Sequence, residues 1–402
     1  MRHTDPDRHS VIFTGARLDF ARLLLRFYAL MVPTIGLSRF WLTTWKRRFY
    51  WGHTAIGGDA LEYTGNAHQL LLGFLMTLAL FLPLYGLFFY LSTQSASILI
   101  IGYGGVAVLL WFLYGYAIYR ARDFRLSRTL WRGIRFDQRG NAWAYALRRF
   151  FWSLLTLATL GLAYPFMAVS LWRYRYRHSW YGDRQFGFSG SWKQLAWPYY
   201  LTWLALASLL LLGLGVAAGT GLLDDPLSGD LRGYVWLAGP ALGALILVTV
   251  YRAAEMTRMF SAIRLGGATL SLDMPAIGLL GQYALFAIAL ALAYLLLALG
   301  GFLVLSLVAG EALAGGTLDF DLLMGSMQSS LATLLAIITG YLLLFGAFVF
   351  VSELVRGYGF WWLMARGATI SGLASLDDVQ ARGEDLSLAG EGLADALNVG
   401  GY

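Results

Sequence analysis

Two stretches of the chain repeat each other in outline: residues 11–65 lie over residues 136–190 at a single offset of 125, with no gap. Gly15 falls on Gly140, Thr34-Ile35-Gly36-Leu37 on Thr159-Leu160-Gly161-Leu162, and Arg48 on Arg173. His53-Thr54 falls on His178-Ser179, Gly57 on Gly182, and Tyr63-Thr64-Gly65 on Phe188-Ser189-Gly190. An internal duplication restricts the chain to architectures that use one supersecondary unit at least twice. It constrains architecture and says nothing of activity.

The solvent for that architecture follows from the charge deficit. Only 13% of the 402 residues are charged and 58% are hydrophobic, whereas soluble proteins carry about 25% charged residues. Six apolar stretches, at residues 68–93, 97–119, 194–218, 233–254, 277–309 and 329–354, are long enough to span a bilayer as helices. They form three pairs. The connection within each pair is poor in basic residues: Leu91–Ala96 is uncharged, Thr220–Arg232 carries Asp224, Asp225 and Asp230, and Gly310–Gln328 carries Glu311, Asp319 and Asp321. The segments between pairs are basic, with nine arginines between Tyr119 and Arg149. Basic loops stay on the cytoplasmic side, so each pair is expected to cross outward and return, with both chain termini in the cytoplasm of a bacterial inner-membrane protein. Met1–Ser10 is polar and lacks a small-residue cleavage site, so the first apolar stretch is expected to be retained.

Two apolar segments, residues 18–45 and 143–171, do not fit a single crossing. Arg17, Arg22 and Arg26 precede or enter the first, and Lys46, Arg47 and Arg48 follow it; Arg148 and Arg149 lie within the second, and Arg173 and Arg175 follow it. Pro33-Thr34-Ile35-Gly36 breaks the first, and Thr159-Leu160-Gly161 with Pro165 breaks the second. Proline removes a helical N–H and glycine loosens the helix. Ten helical residues before Pro33 rise only about 15 Å, half of a ~30 Å hydrocarbon core. We read both as bent, re-entrant helical hairpins whose tips pack on the spanning helices, since backbone freed at a bend needs cover. Two kinked crossings are the alternative.

Five strand-like pieces recur near the basic segments: Val11–Gly15, Ala60–Gly65, Gly133–Phe136, Gln185–Gly190 and Ala268–Leu272. Alternation with a closing glycine is a strand-and-turn pattern, and short cytoplasmic strands tying the repeats together are expected. The fold class expected is therefore an all-α polytopic membrane protein: six spanning helices in three pairs, two re-entrant hairpins, an internal duplication and short strands. Its parts are a first repeat at 1–118 (hairpin 18–45, strand 57–65, helix pair 68–119) and a second at 119–254. The second contains a basic segment 119–142, hairpin 143–171, strand 182–190 and helix pair 194–254. A third helix pair occupies 255–370, and an acidic, disordered cytoplasmic tail 371–402.

Chemistry is sparse. The chain has no cysteine, which excludes disulfides, thiolate metal sites and thiol catalysis. No HExxH, GxSxG or P-loop motif occurs; Gly187-Phe188-Ser189-Gly190 lacks the fifth residue of a nucleophile elbow. His53 and His178 sit at matching positions, where a ligand role and a hydrogen bond fixing the turn are both open; the second is the simpler. With Gly57, Gly65, Gly182 and Gly190 they form a repeated structural element. The six helix interiors show no mid-depth acid of the kind a coupled transporter uses. Arg47, Arg48, Arg173, Arg175 and Arg177 interleave with aromatic residues, and Arg22 and Arg26 lie one helical turn apart within an apolar stretch, where they are expected to snorkel. That pattern suits a membrane interface, with rings at headgroup depth and arginines on lipid phosphates. The expected partner is therefore the lipid bilayer, anionic lipids above all, and no nucleic acid. Paired glycines such as Gly239 and Gly243 allow close helix packing, with a homo-oligomer open.

The string Tyr50-Trp51-Gly52-His53-Thr54, then Gly57-Gly58-Asp59-Ala60-Leu61-Glu62-Tyr63-Thr64-Gly65, resembles the YjgN-like family of bacterial inner-membrane proteins, which share a domain of unknown function. Thr159-Leu160-Gly161 followed by Pro165-Phe166 carries the same likeness, over roughly residues 11–370. Pro33 before Thr34, Ser179 for Thr and Phe188 for Tyr depart from the pattern. The resemblance implies no catalytic residue, and it leaves a membrane zinc metallopeptidase open as a partner, since family members are often encoded beside one. Passage or handling of a small molecule or lipid through a cavity between repeats is the activity expected, with no catalysis, cofactor or metal. A membrane scaffold that uses the basic cytoplasmic face is the alternative.

Overall fold

Tight glycine turns alternate with helical stretches along the chain, and a computed structural model shows what the alternation builds. The structure describes residues 8–94, 96–222, 231–308, 321–322, 324–325 and 330–382. One topological unit, strand–helix–helix–strand, occurs five times in succession. The first consists of β1 (Arg8–Phe13), α1 (Arg17–Met31), α2 (Ser38–Gly52) and β2 (Thr54–Ile56). The second is β3 (Asp59–Tyr63), α3 (Ala67–Ser92), α4 (Ala96–Leu126) and β4 (Thr129–Trp131). The third is β5 (Ile134–Gln138), α5 (Ala142–Ala158), α6 (Tyr164–Arg177) and β6 (Ser179–Tyr181). The fourth is β7 (Arg184–Phe188), α7 (Trp192–Gly219), α8 (Leu231–Phe260) and β8 (Ile263–Leu265). The fifth holds β9 (Ala268–Leu272), α9 (Ala276–Val308), α10 (Leu331–Val351), a π-helical segment Ser352–Gly357, α11 (Tyr358–Gly367) and β10 (Ala368–Ser371).

The ten strands form a closed antiparallel barrel. The strands of one unit pair with each other, and two-residue turns join each unit to the next. The last strand then pairs with the first: Arg8 faces Ser371, His9 faces Ile370 and Ser10 faces Thr369. Gly57-Gly58 and Arg132-Gly133 have positive φ at both central positions, whereas at Gly182-Asp183 and Gly266-Gly267 only the first glycine does. These are the primed turns whose twist matches a right-handed strand pair. Each even-numbered strand follows directly on a helix. The hydroxyls of Thr54, Thr129 and Ser179 donate to the carbonyls of Tyr50, Arg125 and Arg175, four residues back, at 2.7, 2.8 and 2.8 Å. They satisfy orphan carbonyls of the last helical turn and mark where helix becomes strand.

Inside the barrel Trp131, Tyr181, Leu265 and Ala268 are buried, with Ile56, Leu61, Ile134, Phe136, Phe186 and Ile370 packed against them. The third residue of every even strand (Ile56, Trp131, Tyr181, Leu265, Ile370) thus contributes to this core. Burial pushes the Tyr181 hydroxyl up to about 12, and it donates to the Trp131 carbonyl at 2.9 Å. The chain after β10 closes the turn end of the barrel. Leu373, Leu376 and Val379 enter the same core. Arg132 pairs with Asp59 and Asp377 at 2.6 and 2.7 Å, and Arg184 with Asp378 at 2.6 Å.

This barrel corrects the expected all-α class. The five strand-like pieces of the sequence are β1, β3, β5, β7 and β9; their partners β2, β4, β6, β8 and β10 escaped notice. Those partners have three residues, or four in β10, too few to show alternation, and they continue a helix without a loop. Residues 371–382, expected as disordered tail, carry a 3-10 turn at Leu373–Leu376 and plug the barrel. Residues 383–402 and most of the expected acidic connections at 220–232 and 310–328 lie outside the described residues.

All ten chain ends on the opposite rim of the barrel lead to helices. Six helices are long and apolar enough to cross a membrane, over Ala67–Ser92, Ile100–Leu126, Trp192–Gly219, Gly233–Phe260, Ala276–Val304 and Leu331–Gly367. None of the residues in the most apolar window of α9 is buried, so its surface is apolar outward. The other two pairs, α1 with α2 and α5 with α6, have 14 to 17 residues per helix, or roughly 21–26 Å at 1.5 Å per residue. They fold as hairpins of two short helices. Ile35-Gly36 and Leu160-Gly161 reverse the chain at their tips, all four with positive φ.

Leu376→Ala would leave a void in the barrel core and is expected to destabilise the protein by about 2–4 kcal/mol. Thermal unfolding of the purified protein measures it, and an unchanged midpoint would show that the plug is not part of the core.

Candidate functional site

The barrel is filled at its turn end, and space opens at its helix end. A cavity of about 850 Å³ lies there. Its floor is made by strand residues, among them Val11, Ile56, Phe136 and Ala368. Its wall is one face of each of the five helices that run into the barrel: Trp51 from α2, Arg122 and Arg125 from α4, Trp172, Arg175 and Tyr176 from α6, Arg252, Glu255, Met256 and Phe260 from α8, and Phe360, Trp361 and Met364 from α11. Spacings of three, four and eight residues put these side chains on one helical stripe. Pockets for small molecules commonly measure about 300–1,000 Å³ and are mostly apolar with a few placed polar groups; this one has that composition.

The polar groups are held by named partners. Arg122 donates through Nη1 to Gln138 Oε1 at 2.7 Å, to Ser179 Oγ at 2.7 Å and to the Arg175 carbonyl at 3.4 Å. Its guanidinium lies 4.6 Å from the Tyr176 ring centre. Arg175 lies 5.0 Å over Trp172, and its Nε is buried with no hydrogen-bond partner. Tyr164, the first residue of α6, donates to both oxygens of Glu255 at 3.1 and 3.2 Å. Arg252, one turn before Glu255 on α8, is exposed, and both it and Arg175 are near enough to attract the Glu255 carboxylate electrostatically.

The tip of the second short hairpin is tied to this site. Tyr199 of α7 stacks on Tyr164, with centroids 5.1 Å apart. Its hydroxyl donates to the Gly161 carbonyl at 2.7 Å; Tyr200 reaches Leu162 O at 3.1 Å, and Trp203 Nε1 reaches Leu160 O at 2.8 Å. The first hairpin has no such clamp, because the matching positions on α3 are Phe74, Leu75 and Leu78, which have no side-chain donor. Ile35 at its tip is 93% exposed.

Of the arginines singled out in the sequence, the structure places only Arg175 in the cavity. Arg22 pairs with Asp19 at 3.1 Å on an exposed face, and Arg26 and Arg177 are exposed. Arg47 is buried and donates to Tyr63 Oη at 2.8 Å. Arg48 and Arg173 donate to the carbonyls of Gly65 and Gly190, each at 3.2 Å, and so tie α2 and α6 to the chain just after β3 and β7. His53 and His178 bond through Nδ1 to the carbonyls of Phe49 and Tyr174 at 2.8 and 2.7 Å. Gly57 and Gly182 are the first central residues of barrel turns. A side chain at Gly57 would strike Leu373, and one at Gly182 would strike Val379 and Gln380. A side chain at Gly65 or Gly190 would strike the ring of Tyr63 or Phe188.

Arg122, Arg252, Glu255 and Tyr164 were not recognised in the sequence as one site. Arg122 counted there only as one of the arginines of a basic segment, although it lies inside α4. The available cue was the stripe Arg252, Glu255, Met256, Phe260, repeated in type at Trp172, Arg175, Tyr176. Among the described residues, no cluster of three histidine, aspartate or glutamate side chains is arranged to hold a metal.

The family described as "Bacterial protein of unknown function (DUF898)" matches residues 8–395, in agreement with the YjgN-like resemblance. The match begins at β1 and runs past the plug, so it takes in the whole barrel. No curated protein and no solved structure matches the chain.

Removing one donor at the clamped tip, as in Trp203→Phe, is expected to cost about 0.5–1.5 kcal/mol and to speed amide exchange at Leu160–Ala163. Unchanged exchange there would mean that the clamp does not hold the tip.

Proposed function

The chain belongs to the DUF898 family of bacterial proteins of unknown function, and we propose that it is an inner-membrane protein that takes up a small amphipathic molecule or lipid in the cavity between its barrel and its helices. One observation carries the reading: a space of about 850 Å³, walled by aromatic and basic side chains, lies where six outward-apolar helices meet a filled barrel. A molecule can reach such a space from the helical side, while the packed core and the plug stand between it and the turn end. Handling therefore fits better than open passage: the occupant enters and leaves on the helical side unless the plug moves. The role is binding or transfer without catalysis.

The orientation proposed puts the barrel and both termini in the cytoplasm. Basic residues gather at the barrel end of the helices, with Arg122, Arg125 and Arg128 on and just after α4 and Arg173, Arg175 and Arg177 on α6, and basic segments stay inside. The two short hairpins are then re-entrant, since their helices are too short for a ~30 Å core. Arg22 and Arg26 on the exposed face of α1 are placed to reach lipid phosphates. The repeated order of elements supports descent from an internal duplication; β2 and β3 begin and end 125 residues before β6 and β7.

Topology is open to a direct test because the chain has no native cysteine. Thr93→Cys, at the far end of α3, is expected to react with an impermeant maleimide in intact spheroplasts. Glu62→Cys on the barrel and Val32→Cys at the first hairpin tip are expected to react only after permeabilisation. Labelling of Val32→Cys from outside would sink the re-entrant reading.

Native mass spectrometry of gently extracted protein tests the cavity. A retained lipid-mass adduct is expected, and Met256→Trp, which fills the space, is expected to abolish it. A wild-type protein without adduct, or an adduct that survives the filling, would favour a scaffold such as an adaptor for a membrane peptidase.

A further inference from the structure

We propose that the occupant of the cavity carries an anionic group, a phosphate or carboxylate on an amphiphile, and that Arg252 and Arg175 bind this group against the through-space repulsion of the Glu255 carboxylate. The inference rests on the preceding reading that the cavity holds an amphiphile, and names the head group it selects.

The charges in the cavity do not balance from within. Arg122, Arg125, Arg175 and Arg252 line it with one carboxylate, Glu255. Arg122 spends its Nη1 on neutral oxygens of Gln138, Ser179 and Arg175, so it orders the wall and neutralises no acid. Arg175 has a buried Nε with no partner, a desolvated donor that is costly to leave unmade. Arg252 is the exposed member of the set, accessible to an incoming group. Guanidinium forks match phosphate and carboxylate oxygens in geometry as well as charge.

Glu255 is the resident anion of this site. Tyr164 holds both its oxygens, and Tyr164 is itself stacked on Tyr199, which clamps the hairpin tip. Among the described residues no ion pair joins Glu255 to Arg252 or Arg175, so its carboxylate opposes an incoming anion through space while Tyr164 keeps it hydrogen-bonded. The aromatic and sulfur side chains Trp172, Phe260, Phe360 and Met364 leave the remainder of the wall apolar. A free inorganic anion would leave that wall unfilled, whereas an anionic amphiphile covers both parts.

Two substitutions with opposite outcomes follow. Arg252→Gln removes one cation without disturbing a buried bond. Glu255→Gln removes the opposing charge and keeps an oxygen for Tyr164. The protein is reconstituted in nanodiscs of phosphatidylglycerol and phosphatidylcholine at a ratio of about 1:4, released in the mass spectrometer, and its retained lipids counted by class. Phosphatidylglycerol is expected to be enriched over phosphatidylcholine about tenfold in the wild type, equivalent to about 1.4 kcal/mol. Arg252→Gln is expected to lose most of that enrichment and Glu255→Gln to raise it. Equal retention of the two lipids in all three proteins would overturn the anionic head group while leaving the cavity reading intact. Retention of neither lipid would overturn the cavity reading itself. In a second arm, sodium phosphate at millimolar concentration is titrated against the lipid-free protein by calorimetry. No heat, or heat independent of Arg252, is expected; Arg252-dependent binding of free phosphate would overturn the amphiphile.

Discussion

Everything in this molecule depends on the closure of the barrel. A strand of three residues makes too few hydrogen bonds to stand alone, and an isolated pair of such strands is marginal at best in water. Here each strand has a neighbour on both sides, because Arg8–Ser10 pair with Thr369–Ser371 and no edge is left. The first and last strands among the described residues therefore form one joint. Opening it would expose the unpaired edges of β1 and β10 and the core beneath them, where Ile370 packs beside Trp131, Tyr181 and Leu265. The plug strengthens the closure, since Leu373, Leu376 and Val379 follow directly on β10 and fill the end that the turns leave open.

Closure also sets the direction of the helices. A strand in a closed ring has its course fixed by two neighbours, and a helix joined to it without a loop inherits that course. The hydroxyls of Thr54, Thr129 and Ser179 lock this junction by bonding the last helical turn. Five such helices then turn one stripe each toward the barrel axis, which is why residues as far apart as Trp51, Arg122, Arg175, Glu255 and Trp361 line one cavity. The two short hairpins differ in how they are held. The second is clamped by Tyr199, Tyr200 and Trp203, and through the Tyr199–Tyr164 stack it reaches Glu255. The first has Phe74, Leu75 and Leu78 at those positions, so equivalent elements differ in their coupling to the cavity.

The sequence was most legible where a residue type has one physical use. Long apolar runs became the six helices capable of crossing a membrane. Thr34-Ile35-Gly36 and Thr159-Leu160-Gly161 became reversals with positive φ. Gly57 and Gly182 became barrel turns because glycine accepts that conformation at least cost. Legibility failed where the use of a residue depends on its neighbours in space. Ser179-Trp180-Tyr181 and Ile263-Arg264-Leu265 have no pattern longer than one alternation, and only a ring of partners makes them strands. Arg48 and Arg175 look alike beside their aromatic neighbours, yet one bonds the Gly65 carbonyl just after β3 and the other lines the cavity.

The sequence by itself determined the local terms: which stretches are helical, which are apolar enough for lipid, where the chain must turn, and that units 125 residues apart have the same form. These are decided by propensity, side-chain polarity and backbone sterics within a few residues. Tertiary structure alone decided that the strands close into a barrel, that the acidic segment after Ser371 plugs it, and that Arg122, Arg175, Arg252 and Glu255 share one space. Hydrogen-bond closure and charge juxtaposition join residues hundreds of positions apart, and that distance in sequence leaves no local trace.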